Sequence, residues 1–586
     1  MKFATLGALL ALLQSPLNPI RPQGSRPAIE GVVVRAGTGE PLPNARVTLI
    51  RATESAAAAP SSGTTSGAEP AVTDRSGRFA FRNVEPGSYR IAVARNGYAR
   101  QEYGQRVFGG QGRVLTVAAD QHVETITIGL TPAGTVTGAV RDPSGEAIAG
   151  LQVQLLRYVY NASGQRTIVI AGVDRTDDRG VYRVFWMTPG RYYLVVHPSA
   201  SARIANLGSV GNPNEIPENR FPATYYPGTF DLSQASLIEV RPGEELSGID
   251  VAVSRQDLFR VAGRVIDGTT GQPPRTASVT IVPRGPAAAP VALFGSAPPY
   301  NPADGTFELR DVAPGTYWVR ATVTAASADS ILTANAAGRS LADIFTESVM
   351  ADRRVTQVAA DVAGSDVDGL VITVGAGTSI RGRLRVEGQA LSAVGNLERV
   401  QVKLRPATTG TTSNQHRPVT ADGIFRLENV SPGDYVTTIE RLPSGYYVKE
   451  ARLDEVNVLE QPLVISGPVS GTLDILLSRA ANRVDGTVID GRGQGVSGVQ
   501  AVLVPAQRLR WRPDLFRTAN TDSAGRFSLA GIPPGDYSLF SWEALESFAY
   551  FDEQVLRQSE PAGTPVRVAE SSTTTVQVRI ISPAVP

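Results

Sequence analysis

Side chains able to hold a metal or activate a nucleophile are few in this sequence, and their spacing argues against catalysis. Histidine occurs three times, as His122, His197 and His416, and cysteine does not occur. Zinc hydrolysis needs ligands gathered on one element, as in His-Glu-x-x-His, with a position left open for water. Neither that pattern nor His-x-x-Glu is present, so the histidines read as isolated surface or edge residues. Without cysteine there is no disulfide, thiolate metal site, cysteine nucleophile or cysteine-borne lipid. A Gly-x-Ser-x-Gly elbow is missing too. Ser497, in Gly495-Val496-Ser497-Gly498, occupies a station held elsewhere by Ile148-Ala149-Gly150 and reads as a turn residue. Asp366-x-Asp368-Gly369 opens like a calcium loop but has no Glu at the required distance. The only lysines are Lys2, Lys403 and Lys449, too few for Lys–Asn cross-links throughout the chain. No catalytic residue, metal or cofactor is expected.

What remains suits recognition. Tyr225-Tyr226-Pro227-Gly228 forms one aromatic cluster. Near the C-terminus Arg508, Arg510, Trp511, Arg512, Asp514, Phe516 and Arg517 are followed by Trp542, Glu543 and Tyr550. Aromatic faces stack on sugar rings or peptide prolines, and Arg–carboxylate pairs give direction. The candidate ligand-binding residues are therefore Arg510, Trp511, Arg512, Asp514, Trp542, Tyr550, Tyr225 and Tyr226. A competing reading makes the same rings seals at the end of a domain or at a joint between domains. A hydrolase would have to draw on carboxylates such as Asp514, Glu543 and Glu553 as an acid/base pair.

Composition narrows the partners. The chain has 56 Lys+Arg against 55 Asp+Glu, a formal charge of +1, so no field of one sign attracts nucleic acid or anionic lipid. With 19% charged and 42% hydrophobic residues it reads as a soluble multidomain chain. Phe3 to Leu13 form an apolar run behind Lys2, the form of a weak secretory signal and too short to span a bilayer. No later stretch reaches eighteen apolar residues, so no transmembrane span is expected and the address is periplasmic, cell-surface or secreted.

The elements that must carry these residues repeat. A motif of fixed spacing occurs five times: Gly, aromatic at +2, apolar at +4 and +7, Pro-Gly at +9 and +10, Tyr at +12. Its glycines are Gly77, Gly180, Gly305, Gly423 and Gly525, and its tyrosines Tyr89, Tyr192, Tyr317, Tyr435 and Tyr537. Upstream of each lies Gly-x-Val or Gly-x-Leu, starting at Gly31, Gly138, Gly263, Gly382 and Gly486. Asp-x-x-Gly, at Asp74, Asp177 and Asp522, predicts a turn in which Asp caps amides and Gly takes positive φ. In the third copy Asp304 directly precedes Gly305, which leaves the turn type open. The +2 and +4 residues fall on one face of a strand, and the Tyr predicts a core ring whose hydroxyl meets a backbone partner. Short alternating runs without a long amphipathic helix predict an all-β sandwich in each repeat. Residues 52–70 are low in complexity and expected to be mobile, and 325–350 reads as a short helix or a pair of turns.

These motifs resemble the carboxypeptidase regulatory-like domain over roughly residues 27–583. The resemblance implies a transthyretin-like, seven-stranded Greek-key sandwich that is an accessory domain, and it transfers no catalytic residue. The period places a lead-in at 1–26 and repeats at 27–133, 134–259, 260–378, 379–481 and 482–586. Linkers of a few residues predict an elongated, semi-rigid array. Its expected role is a non-catalytic, exported binding or spacer array at the cell envelope, with a glycan or an envelope or extracellular protein as ligand; a carboxylate-dependent hydrolase and a plain stalk are the alternatives.

Overall fold

A computed structural model describes residues 28–51, 69–110, 112–118, 122–161, 166–198, 221–284, 300–324, 353–375, 377–395, 397–406, 415–443, 445–479 and 482–582. The apolar run Phe3 to Leu13, most of 52–70 and the segment 325–350 lie outside the described residues. Among the described residues ten sheets are present, in five pairs. In the first pair the Gly-x-Val strand Ala28–Arg35 is central, antiparallel to the motif strand Arg78–Phe81 and parallel to the closing strand His122–Leu130. The facing sheet pairs Arg46–Arg51 with the Tyr strand Gly87–Ala94, which is flanked in turn by Leu115–Val117. The same arrangement recurs four times more, down to the parallel pairing of Arg483–Ile489 with Thr573–Arg579. A seventh, edge strand joins the second sheet as Ala71–Val72, Arg166–Arg175, Gln415–Pro418 and Arg517–Asn520.

Packing explains the spaced glycines. The Gly-x-Val glycine lies directly across from the +2 aromatic in every copy: Gly31 and Phe79, Gly138 and Tyr182, Gly263 and Phe307, Gly382 and Phe425, Gly486 and Phe527. In the fourth copy a Cβ on Gly382 would stand 1.9 Å from the Phe425 ring, so the ring occupies the volume a side chain would need. This cross-strand filling of a glycine by an aromatic also fixes register.

The turns behave as the Asp-x-x-Gly pattern requires. Asp74 Oδ1 accepts from the amides of Ser76 (2.8 Å) and Arg78 (2.9 Å), and Gly77 has φ of 72°. The third copy reaches the same end with one more residue. Asn301 Oδ1 accepts from the Ala303 amide, and the Gly305 amide bonds the Asn301 carbonyl at 2.8 Å. Each motif Tyr donates its hydroxyl to the carbonyl four residues earlier, as in Tyr89 to Glu85 (2.8 Å), Tyr435 to Ser431 (2.8 Å) and Tyr537 to Pro533 (2.9 Å). Tyr192 and Tyr317 do the same with Thr188 and Ala313. The ring fills the core while the corner carbonyl is satisfied.

Each pair of sheets has its own apolar core, and among the described residues no cluster of buried residues crosses from one repeat into another. The second and fifth repeats carry a further cluster on the outer face of their second sheets, built on Tyr225 in the one and on Phe516, Phe540 and Tyr550 in the other.

The expected elongated array needs correction. An extended line would keep the first and last repeats apart, but the chain folds back so that both the first and the second meet the fifth. Ser547 Oγ donates to the Gly109 carbonyl at 2.8 Å, Arg106 Nη2 to the Ser497 carbonyl at 3.3 Å, and the Tyr160 hydroxyl to Asp552 Oδ2 at 2.7 Å. Short linkers restrict hinge motion, but they do not dictate a straight path. No helix among the described residues is long and apolar enough to cross a membrane.

Candidate binding cleft

Where the first and fifth repeats meet they enclose a cleft of about 270 Å³. The first-repeat wall is the glycine-rich segment 104–116, and Glu102 organises it. Its carboxylate takes the Gly112 amide (2.9 Å) and pairs with Arg90 (3.2 Å), while its own amide bonds Gln105 Oε1 (2.7 Å). A Cβ at Gly112 would stand 2.4 Å from Glu102 Cβ, so the turn admits only glycine there. This folding delivers Arg106 and Arg113 to the cleft.

The fifth-repeat wall stands on the strands Gln500–Pro505 and Gly535–Ser541. An insert after the second of these strands includes the helix Glu553–Ser559, capped by Asp552, whose side chain accepts from the Gln554 amide at 2.7 Å. The insert covers the outer face of the sheet and fixes Trp542. The indole stacks on Phe540, 5.3 Å between centroids at 13°, and its Nε1 donates to Ser559 Oγ at 2.9 Å. Trp542 stays half-buried and lines the cleft beside Glu543, Gln500, Thr518 and Asn520. Arg106 spans the mouth to Glu543 at 3.8 Å. Two cations face Glu543 and Asp522, so charge across the cleft balances.

The structure divides the predicted residues. Trp542 and Tyr550 line the cleft, although the Tyr550 ring is buried in the cluster with Phe516 and Phe540. Arg510, Trp511, Arg512 and Asp514 lie outside it. Arg510 is clamped to the helical insert through Glu560 (2.8 Å) and Glu553 (3.6 Å). Arg512 is buried, pairs with Asp514 at 2.5 Å and reaches the Leu459 carbonyl of the fourth repeat at 3.5 Å. Trp511 is half-buried. Tyr225 is a buried ring packed with Leu156, Val195 and Leu232, and Tyr226 rests half-buried on the core of the second repeat.

Sequence reasoning missed Arg106, Arg113, Gln500 and Asn520. A signal existed in the glycine-rich run from Gly104 to Gly112, which no other repeat carries.

Other expected chemistry resolves into structure. Asp366 and Asp368 hold Arg260, the latter through both oxygens at 2.9 Å. Lys403 and Lys449 pair with Glu440 and Glu387, each at 2.6 Å. His197, expected at a surface or edge, is buried, and burial pushes its pKa down to about 4. Of the three carboxylates a hydrolase would draw on, only Glu543 lines the cleft.

Residues 28–131, the first repeat, match the carboxypeptidase regulatory-like domain family, a regulatory rather than a catalytic domain. No curated protein matches the chain. Among solved structures it is similar to GBS52, the minor pilin of Streptococcus agalactiae, at 12% identity over 39% of this chain and 96% of that one, with a TM-score of 0.22. It is also similar to the shaft pilin SpaA of Lactobacillus rhamnosus GG, at 10% identity over 40% and 98%, TM-score 0.19. A third is BcpA, the major pilin subunit of Bacillus cereus, at 10% over 60% and 99%, TM-score 0.14.

Proposed function

We propose that this chain is a non-catalytic, exported binding protein of the cell envelope, built of five sandwich units with the boundaries given above, and that it takes a glycan in the cleft between the first and fifth. The observation that supports this is the pinned indole of Trp542 beside the amides of Gln500 and Asn520, in a space just below the roughly 300–1,000 Å³ of small-molecule sites. A flat aromatic face with amide and hydroxyl groups around it suits a polyhydroxylated ring. The balanced charges favour a neutral ligand over an acidic one. Export rests on the apolar run behind Lys2, and a periplasm-dependent reporter fused to residues 1–30 that stays silent would refute it.

The site is tested by titrating the full chain with a panel of glycans while following tryptophan fluorescence, alongside a generic hydrolase panel. Binding without turnover is expected, weakened at least tenfold by Trp542→Ala and unchanged by Trp511→Ala. Turnover would favour the hydrolase. Silence, or equal effects of the two substitutions, would leave the protein a spacer.

A further inference from the structure

Apolar surface is left uncovered in one place far more than in any other. Thirteen large apolar side chains are exposed among the described residues, and six of them, Val169, Ile170, Val173, Val181, Phe185 and Trp186, lie on two neighbouring strands of the second repeat. These strands, Arg166–Arg175 and Val181–Met187, are terminal in their respective sheets, so together they form one side of the sandwich. A concentration of this kind marks an interface, where scattered single residues would not.

Two further observations separate this edge from its counterparts. Arg166–Arg175 has ten residues, whereas among the described residues the corresponding edge strands of the first and fifth repeats have two and four. Long edges carrying apolar side chains are templates for association, and short ones avoid it. The second observation is a backbone conformation. A register shift between Val184 and Met187 turns Phe185 and Trp186 outward together, about half exposed, with their rings 5.1 Å apart at 87°. Trp186 has φ of 59°, in the left-handed region. At the same station the first repeat has Asn83 (φ 59°) and the fifth Gly531 (φ 68°). Those residue types enter that region at low cost, and a bulky aromatic does not. Strain kept where the first and fifth copies avoid it, in order to expose an indole, points to recognition.

We propose that this edge is a homotypic interface, occupied by the same edge of a second copy of the chain in antiparallel, two-fold arrangement. Charge selects this occupant. Arg166, exposed, stacked over Tyr158 at 4.0 Å and within electrostatic reach of Asp552 of the fifth repeat, stands at one end of the edge. At the other end Asp174, near the end of its strand, accepts from the Arg183 amide, and the turn between the strands carries Asp177 and Asp178. Arg179 lies 3.6 Å from Asp177, and Asp178 is exposed. An antiparallel two-fold sets the basic end of each copy against the acidic turn of the other, twice per dimer, with the apolar side chains between them.

Sedimentation of the full chain over a wide concentration range tests this independently of the glycan reading. A monomer–dimer equilibrium is expected. Trp186→Asn and Val173→Lys should each weaken it at least tenfold, and the melting temperature of Trp186→Asn should be unchanged or higher, because Asn suits the backbone. Arg166→Asp and Asp178→Arg should each weaken the dimer and together restore it. These two residues are exposed, so this arm stands even where Trp186→Asn fails to fold. A monomer at every concentration, a dimer indifferent to the apolar substitutions, or charge reversals that do not rescue one another would overturn the proposal. So would capture of another protein on this edge by a chain that never self-associates.

Discussion

The fifth repeat meets its neighbours on two sides that are rich in the same residue types and behave in opposite ways. Toward the fourth repeat, Arg512 is buried against Asp514 and the Leu459 carbonyl, and nearby Arg510 is held by Glu553 and Glu560. Toward the first, Arg106 and Glu543 face each other 3.8 Å apart, both about 40% exposed, and Trp542 borders open space. The first side uses its charges internally; the second leaves them available. Counting charges along the sequence could not tell these apart. The segment 507–517 looks like a basic surplus because its partners Glu553 and Glu560 come from an insert some forty residues later, and only the fold brings them together.

The sharpest way to break this comparison is Arg512→Ala. It takes from Asp514, with only 17% of its side chain exposed, its hydrogen-bonded counterion, leaving only the more distant charge of Arg517, and it abandons the Leu459 carbonyl. Removing one member of a buried pair costs about 3–5 kcal/mol. Urea unfolding should show a loss of that size in the fifth repeat, with ligand affinity in the first–fifth cleft preserved under native conditions. A cost below about 1 kcal/mol would mean that the pair behaves as a surface pair, and the two sides would no longer differ in kind.

The fold was far more legible than the site, for a physical reason. Positions such as Gly31, Phe79 and Tyr89 are set by contacts that every copy must make, so repetition exposes them without any knowledge of the partner. Gly-x-Val and Gly-x-Phe nonetheless stand in the sequence as separate elements, because cross-strand pairs such as Gly31 with Phe79 are invisible until register is known. The turn at Gly305 stayed open for a similar reason, since Asn301 stands in for Asp one residue further back. The cleft depends on Arg106 and Trp542, more than 400 residues apart, and on a path of the chain that no local pattern encodes.

A contact of intermediate strength joins the second repeat to the fifth. Burial, and then the hydrogen bond to Asp552, push the Tyr160 phenol up to about 12. The folded chain thus favours the neutral phenol more than the unfolded chain does. Its stabilising effect is complete below the ordinary tyrosine value near 10 and is lost as pH rises from about 10 to 12. Difference titration of the chain against Tyr160→Phe should show one tyrosine ionising late in that window, with docking of the second repeat on the fifth weakening over the same range. A Tyr160 that titrates at its ordinary value would show that the contact is loose in solution, and the folded-back path would lose one of its polar ties.

The smallest effect is expected at Arg106, where the comparison can be sharpened most. Its guanidinium is about one-third exposed, its contact with Glu543 is long, and its bond to the Ser497 carbonyl is 3.3 Å. An exposed pair of this kind contributes at most about 1 kcal/mol and is screened by salt. Arg106→Ala should therefore leave the melting temperature nearly unchanged. Yet the residue is part of a cleft wall that the fifth repeat cannot supply alone, so ligand affinity should fall several-fold while the stability that Arg512→Ala removes remains. Calorimetric melting beside ligand titration, each at low and at high ionic strength, separates the two quantities. If Arg106→Ala destabilises the chain as much as Arg512→Ala does, the first–fifth junction is a structural seal like the fourth–fifth joint. If it changes neither stability nor affinity, the first repeat is a bystander and the ligand belongs to the fifth alone.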